Sequence, residues 1–530
     1  MTTSMMAPTA TNSRLAQRPA GQGRQAKATA VWILAVVAVI VGVVIRFSDL
    51  DQKNCQLDES GTMLFVSGYS AGDYMSVVGR EVSRQDLLKV QTFNPAKSNL
   101  DALRGLAHFM PDQAPLYYLV VRPLCQIAGS SLTTVRAVSA IAGVLVIVAT
   151  FWLCLEATSS AVFAAMAASM VAVSPLQLVY SQQARPYAIW ELLFLASSIC
   201  LLRALRLNEK RNWVFYCVAA TATAYTHLAT CSVFCGQAAY TLYVERFRPS
   251  RRVVAFFIAA LVAVILLLPW LKFLIFGHPL FTSALRTPLT LHSFFRDSGS
   301  NVTSTFALDG ELLPNQWMSG LRIVFSLIFA YSAVVALKSC KQQPVCAYLL
   351  LQCLSPALLL FKYFHGGECL PTVDRYIAPA LLSAQIMVAF ALSQLWERPG
   401  KAWVPVTTSL LATFLVFEAA TCSCYTRQTD YRNLGVGMDR AAKVIRAAKD
   451  PLVVADLPAG LLLSHQDIGN PRILLLKMNP KALPNIREPF LLVNKVTCNL
   501  EKQIKTGDFT SSPCEQDHQV VLVTPKSSHQ

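Results

Sequence analysis

Two acidic residues stand side by side, Asp58 and Glu59, in the stretch NCQLDESGTM just after a long apolar run, ATAVWILAVVAVIVGVVIRF. Carboxylates this close to a bilayer are costly unless they are solvated or used. A carboxylate held against a substrate hydroxyl or amine can take its proton. The plain alternative is open too: two solvated loop acids, or the first turn of a helix, where acids oppose the positive end of the dipole. Three other groups offer complementary chemistry. Arg185 in LVYSQQARPYA and Arg375 in TVDRYIAPALL each sit at the mouth of an apolar segment. A guanidinium there either snorkels as an interfacial anchor or holds an anionic headgroup such as a lipid phosphate. His227 in YTHLAT lies near the end of another such segment, where a histidine is more often satisfied structurally than catalytic.

These groups have to be carried by membrane helices. Of 530 residues, 54% are hydrophobic and 14% charged, with mean hydropathy +0.43; a soluble domain has about 25% charged residues. The chain therefore reads as an all-α polytopic membrane protein. The net charge of +16 sits largely in short connections, as topology signals do, with no basic stripe interleaved with aromatics, so nucleic acid is excluded as a partner. Residues 1–28 read as a disordered cytoplasmic tail. Apolar segments follow at 29–47, 134–154, 161–179, 187–205, 213–229, 231–244, 253–275, 320–337, 345–361, 375–395 and 402–420. They predict about eleven spans over 29–420. With that count the basic loops (Arg203 to Arg211, Arg246 to Arg252, Lys338 to Lys341, Arg398 to Lys401) fall on the side of Arg14 to Lys27, which is then cytoplasmic.

APLYYLVVRPLCQIAG is apolar but short and is interrupted by Arg122-Pro123. Counted as a span it would reverse every later loop, so it reads as a helix lying in the interface. The outer side then carries the loop 48–133, the loop 276–319 and the tail 421–530. The tail joins a helical run, GMDRAAKVIRAAK, to the strand-like runs PLVVAD, RILLLK, PFLLVN and QVVLVT, and predicts a small soluble α/β domain. Most cysteines, among them Cys154, Cys200, Cys217 and Cys353, lie in apolar runs as packing residues; Cys498 and Cys514, in the polar tail, are the expected disulfide. Asn301-Val302-Thr303 is a glycosylation sequon in the second large loop.

Taken together, LDES, the run DQAPLYYLVVRPLCQIAGSSLTTVRAVSAIAGVLVI, SPLQLVYSQQARPYA, YTHL, LLLPWL and DRYIAPAL resemble the polyprenyl-phosphate-sugar glycosyltransferases of the GT-C fold. That group includes the protein O-mannosyltransferases and the lipid A aminoarabinose transferase. The motifs occur in the same order across residues 30 to 395. The resemblance implies an inner-membrane enzyme, active on the outer (periplasmic) face. It would move a sugar from a polyprenyl-phosphate donor to a lipid, glycan or protein acceptor, with inversion. It implies Asp58 as catalytic base with Glu59 beside it, and Arg185, Arg375 and His227 as donor-phosphate ligands. Asp112, Gln113, Tyr117, Gln183 and Tyr187 would line the substrate cavity. Two positions depart from the family pattern: Gln183 stands where an acid is common, and Gln113-Ala114-Pro115 replaces His-Pro-Pro. No cofactor is expected, and no Lys- or Asp-rich cluster supports a divalent ion. A flippase of lipid-linked sugars and a non-catalytic assembly factor for envelope polysaccharide are the competing readings. The former should carry mid-span charges or matched broken helices.

The topology is directly testable. A reporter fused to the tail is expected to report the outer side; a cytoplasmic signal would mean that residues 115–129 cross the membrane.

Overall fold

The computed structural model describes residues 20–276, 290–308, 315–359, 373–400, 402–428, 438–476, 486, 488–493, 509–514 and 517–525. Helix α1 (Ala20–Phe47) leads into a loop that carries α2 (Leu57–Ser67), α3 (Ala71–Met75), β1 (Glu81–Val82), α4 (Arg84–Lys89), α5 (Asn99–Phe109) and α6 (Leu116–Ala128). A helical body follows: α7 (Leu132–Thr158), α8 (Ala161–Ala172), α9 (Pro175–Ser181), α10 (Tyr187–Leu207), α11 (Lys210–Ala224), α12 (Thr230–Val244) and α13 (Arg251–Phe276). Then come α14 (Leu291–Ser304), α15 (Asn315–Ser339), α16 (Pro344–Leu354), α17 (Ala378–Glu397) and α18 (Trp403–Arg427). The tail contributes α19 (Met438–Ala447), β2 (Leu452–Asp456), α20 (Leu457–Ser464), β3 (Arg472–Leu476), β4 (Phe490–Val493), β5 (Phe509–Cys514) and β6 (Asp517–Pro525).

All eleven apolar segments are helical, but they are unequal. Among the described residues seven helices are long and apolar enough to cross a membrane, and eight if α8 and α9 count as one span bent by 62°. The segments expected at 213–229, 231–244 and 345–361 form shorter helices. Burial separates the centre of the bundle from its wall. Every residue from Ala378 to Ser393 in α17 and from Phe163 to Ala172 in α8 is buried. In contrast α1, α13, α15 and α18 leave Ile40, Leu261, Leu327 and Val416 exposed. A helix apolar all round with one side uncovered needs lipid there. Helix α6 has 13 residues, too short to span. Arg122, which interrupts its apolar run, is buried: it donates to the carbonyls of Val66 and Lys97 and to Asn99 Oδ1, and so ties α6 to α2 and α5.

Two features go beyond what the apolar pattern announces. Polar groups are not confined to helix ends: Arg46, Glu191 and Glu418 are fully buried inside α1, α10 and α18, with Gln177 Nε2 donating to Glu191 (2.8 Å) and Gln385 Nε2 standing 3.4 Å from Glu418. The tail is also not self-contained. Its mixed sheet runs β1-β3-β2-β4-β6-β5, parallel at β3-β2-β4 and antiparallel elsewhere, and the edge strand β1 comes from the first loop. Strand β2, paired on both sides, is buried along its whole length, as its continuous apolar run requires. Leu64, Leu87 and Val90 of the loop share a core with Met438, Val453 and Leu475 of the tail. Asn301 is buried, so the sequon is not presented for glycosylation. Cys498 lies outside the described residues, and with it the expected disulfide.

Polar clasps complete the docking of tail on loop. Lys53 Nζ donates to the carbonyls of Tyr425 and Gln428 (2.8 and 3.0 Å). Gln466 Nε2 donates to Asn54 Oδ1 (3.0 Å), and His465 Nε2 lies 2.9 Å from Gln91 Oε1. Because the Gln91 oxygen only accepts, His465 must carry its proton on Nε2. Burial, opposed by Glu59 and reinforced by Arg136 and Arg84, pushes the His465 imidazole down to about 4. Its folded pKa lies below its ordinary 6.5, so in that window the unfolded chain binds more protons and folding weakens as pH falls. Acidification from pH 7 to 5 is therefore expected to lower the melting temperature more in the wild type than in His465→Gln, whose amide can still donate to Gln91. Parallel pH profiles would contradict this.

Candidate functional site

Glu59 is placed by its own helix start. It is the third residue of α2, and its Oε2 accepts the Gln56 N–H (3.1 Å), the return half of a capping box. Its side chain then turns inward, where it is fully buried against Arg136, from the first turns of α7. Arg136 Nε donates to Oε1 (2.9 Å) and Nη2 to Oε2 (2.6 Å). The Ala184 N–H adds a bond to Oε1 (2.8 Å). Arg136 spends its remaining hydrogens on the carbonyls of Leu50, Lys53 and Asn54. The carboxylate thus accepts four bonds and the guanidinium makes five, which exhausts its donors. Burial pushes the Glu59 carboxyl upward, but the charge and hydrogen bonds of Arg136, with the Ala184 and Gln56 amides, outweigh it and hold Glu59 below the usual carboxylate range. Glu59 was expected beside the catalytic base. With no exposed surface and no free lone pair it cannot touch a substrate, and its role is to position.

Asp58 faces the other way. Successive helix residues are about 100° apart, and with Glu59 turned in, Asp58 turns out, its side chain 46% exposed. Arg375 Nη1 stands 3.7 Å from Asp58 Oδ2. The 3₁₀ turn Asp374–Tyr376, just before α17, presents Arg375, with Asp374 Oδ1 accepting the Arg375 N–H (2.7 Å). Arg185 arrives from the connection between α9 and α10. Its Nη1 donates to the Asp58 carbonyl (3.2 Å) and Thr62 Oγ1 (3.3 Å), and its Nη2 to Gln113 Oε1 (2.8 Å). Gln113 Nε2 in turn donates to Asp112 Oδ2 (3.0 Å). Tyr187 lies under Arg185 and Tyr376 under Arg375, with ring centroids 5.7 and 5.6 Å from the guanidinium carbons. Two cations and an open carboxylate therefore meet on the side of the helical body that carries the first loop and the tail.

The remaining expected residues divide. Asp112 is exposed and Gln113 half-buried, and both join the cluster through Arg185. Tyr187 joins it through its ring. Tyr117 is fully buried, its hydroxyl 3.5 Å from Ser139 Oγ. Gln183 is buried too, and its backbone carbonyl accepts the Arg185 N–H (2.8 Å). His227 sits in the turn between α11 and α12, stacked on Trp190 at 4.2 Å and flanked by Tyr187 and Tyr376. Burial, then Arg185 and Arg375, push its imidazole well below its ordinary range. A neutral ring carries no charge toward a phosphate, but its N–H can still donate to a phosphate oxygen. The ring's Nδ1 accepts the Ala229 N–H (3.2 Å), which leaves the proton on Nε2. Sequence reasoning gave no role to Arg136, Thr62, Trp190 or Tyr376. Arg136 had a weak signal: an arginine opening a 27-residue apolar helix, if buried, needs acceptors for its donors, and an acid is one candidate. Among the described residues no group of three or more His, Cys, Asp or Glu could hold a metal ion.

The sequence pattern of the dolichyl-phosphate-mannose-protein mannosyltransferase family matches residues 112–273. Comparison with curated protein sequences gives no match. Solved structures share the architecture. ArnT from Cupriavidus metallidurans in the apo state aligns with a TM-score of 0.54 at 13% identity, over 93% of this chain and 98% of that one. ArnT bound to undecaprenyl phosphate gives 0.51 at the same identity and coverage. The apo oligosaccharyltransferase of Archaeoglobus fulgidus gives 0.50 at 11% identity, over 84% of this chain and 64% of that one. The chain has the GT-C membrane fold, with a small sheet-containing region at its C-terminal end.

The Glu59–Arg136 pair can be tested apart from any activity. Removing one partner of a buried ion pair costs about 3–5 kcal/mol. Glu59→Gln and Arg136→Gln are each expected to lose stability on that scale, and the double variant less than their sum. Additive losses in a denaturation cycle would show that the two residues act separately.

Proposed function

We propose that this chain is a membrane glycosyltransferase that takes a sugar from a polyprenyl-phosphate donor, with Asp58 as the base and Arg185 and Arg375 as the phosphate ligands. The observation that carries the reading is the meeting of an exposed carboxylate with two guanidiniums at the mouths of α10 and α17. The family pattern over residues 112–273 and the shared fold with ArnT support it. The acceptor hydroxyl or amine attacks the anomeric carbon and its proton passes to Asp58. The carbon–oxygen bond to phosphate breaks, and the departing polyprenyl phosphate keeps the electron pair. Two guanidiniums are suited to that anion, since each offers a planar fork of donors. Displacement from the face opposite the phosphate inverts the anomeric centre.

The surroundings fit a lipid donor. A cavity of ≈ 590 Å³ opens between α5, α6 and α13, walled by Leu103, Leu116, Leu119, Trp270 and Phe273. It begins next to the Asp112–Gln113 pair, because Trp270 Nε1 donates to the Pro111 carbonyl (3.1 Å). Its apolar wall suits a polyprenyl chain, and the polar cluster beyond suits the headgroup. If all eleven apolar segments cross, the distribution of basic loops supports a site on the outer face of the cytoplasmic membrane. The acceptor's class is left open by these residues: lipid, glycan and protein hydroxyls or amines all present the same nucleophile.

Sugar transfer by the purified protein in detergent, from a polyprenyl-phosphate sugar, tests this. A positioned general base contributes about 10²–10⁴-fold, so Asp58→Asn is expected to lose turnover on that scale while still binding donor. Arg185→Ala and Arg375→Ala should weaken donor binding, with Lys at either position restoring it only in part. Near-normal transfer by Asp58→Asn would end its assignment as base. Absence of any transfer, with lipid-linked sugar moved across vesicles instead, would favour the flippase reading.

A further inference from the structure

The break between α8 and α9 holds a buried cation with no carboxylate bonded to it among the described residues. Arg46, near the end of α1, is 0% exposed. Its Nη1 donates to the Gly42 carbonyl (2.8 Å) and the Ala172 carbonyl, its Nη2 to the Val171 carbonyl (3.1 Å), and its Nε to Ser181 Oγ (3.2 Å). Val171 and Ala172 form the last turn of α8, where the break orphans the carbonyls. Ser181 is the last residue of α9. One guanidinium therefore grips both sides of the 62° bend.

The neighbouring residues tighten the same point. Ser181 Oγ donates to the Gln177 carbonyl (2.6 Å). Gln182 Nε2 reaches back to the carbonyls of Ile45 and Ser48 (2.8 and 2.9 Å) at the end of α1. There is no room for slack. A Cβ at Gly42 would collide with the Ala172 carbonyl, and one at Gly143 of α7 with Ser181 Oγ, close to Arg46 Nε. The next residues are the ones the site uses: the Ala184 amide bonds Glu59, and the Arg185 side chain bonds the Asp58 carbonyl and Gln113. Burying a charge on three carbonyls and one hydroxyl is expensive, and an apolar residue would serve helix packing as well. What the arginine adds is a fixed place for the chain between Ser181 and Arg185.

We propose that Arg46 is a positioning residue for the phosphate site: by clamping the α8–α9 break it sets where Arg185 stands. This rests on the reading of Arg185 as a phosphate ligand. The test is binding of undecaprenyl phosphate to the purified full chain. Losing a hydrogen bond to a charged group costs about ten-fold or more in affinity. Arg46→Gln is expected to weaken binding by about that factor, Arg46→Lys by less, and Arg46→Gln combined with Arg185→Ala by little more than Arg185→Ala alone. Gly143→Ala, which displaces Ser181, and Ser181→Ala, which removes the acceptor of Arg46 Nε, should each weaken binding as well. Should Arg46→Gln fail to fold, Gly143→Ala and Ser181→Ala decide. Weak binding by Arg185→Ala with full binding by a folded Arg46→Gln, or by Gly143→Ala and Ser181→Ala, overturns the positioning role alone, as does full additivity of Arg46→Gln and Arg185→Ala. Full binding by Arg185→Ala overturns the phosphate-site reading, and this inference with it.

Discussion

The buried pair of Glu59 and Arg136 is the constraint on which the site depends. Its bonds join three pieces of chain that are far apart in sequence: the start of the first loop from Leu50 into α2, the first turns of α7, and the Ala184 amide. A carboxylate and a guanidinium taken out of water must satisfy each other and every remaining donor, or the fold loses several kcal/mol. That requirement leaves little freedom in where α2 starts or which way it faces. Because Glu59 must point in, Asp58 must point out.

Two adjacent carboxylates thus acquire opposite tasks from their surroundings. Glu59 is locked and saturated. Asp58 is open, with one arginine beside its carboxylate and another on its backbone carbonyl. The arginines differ in the same way. Arg136 and Arg46 are consumed by structure, whereas Arg185 and Arg375 keep surface or unfilled bonding capacity near Asp58; Arg185 Nε has no acceptor among the described residues. The tail matters here as well. Its grip on Asn54, Gln91 and Arg84 holds the loop from which Asp58 is presented.

Much of this was legible in the chain wherever a feature is local. Apolar runs announced their helices, the four strand-like runs in the tail became β2, β3, β4 and β6, and the shortness of the run after Pro115 marked α6 as too short to span. Features that depend on distant partners were not legible. Glu59 meets Arg136 across 77 residues, and nothing in LDES distinguishes the inward acid from the outward one. Strand β1 is two residues long and exists only because β3 needs an edge partner. Nothing in YTHLAT announces the three aromatic rings that close around His227. Nothing in VVIRF shows that Arg46 is fully buried. Composition reports which residues prefer water; it does not report which charges find a partner.

The account stands on one placement, that of the donor phosphate between Arg185 and Arg375 with Asp58 open beside it. An experimental structure of the protein with a polyprenyl phosphate bound measures it directly. The account predicts phosphate oxygens within hydrogen-bonding distance of both guanidiniums, the lipid chain running toward Leu116 and Trp270, and the Asp58 carboxylate facing the space where the sugar would sit. A phosphate held elsewhere, with Arg185 and Arg375 still bonded as they are here, would contradict it.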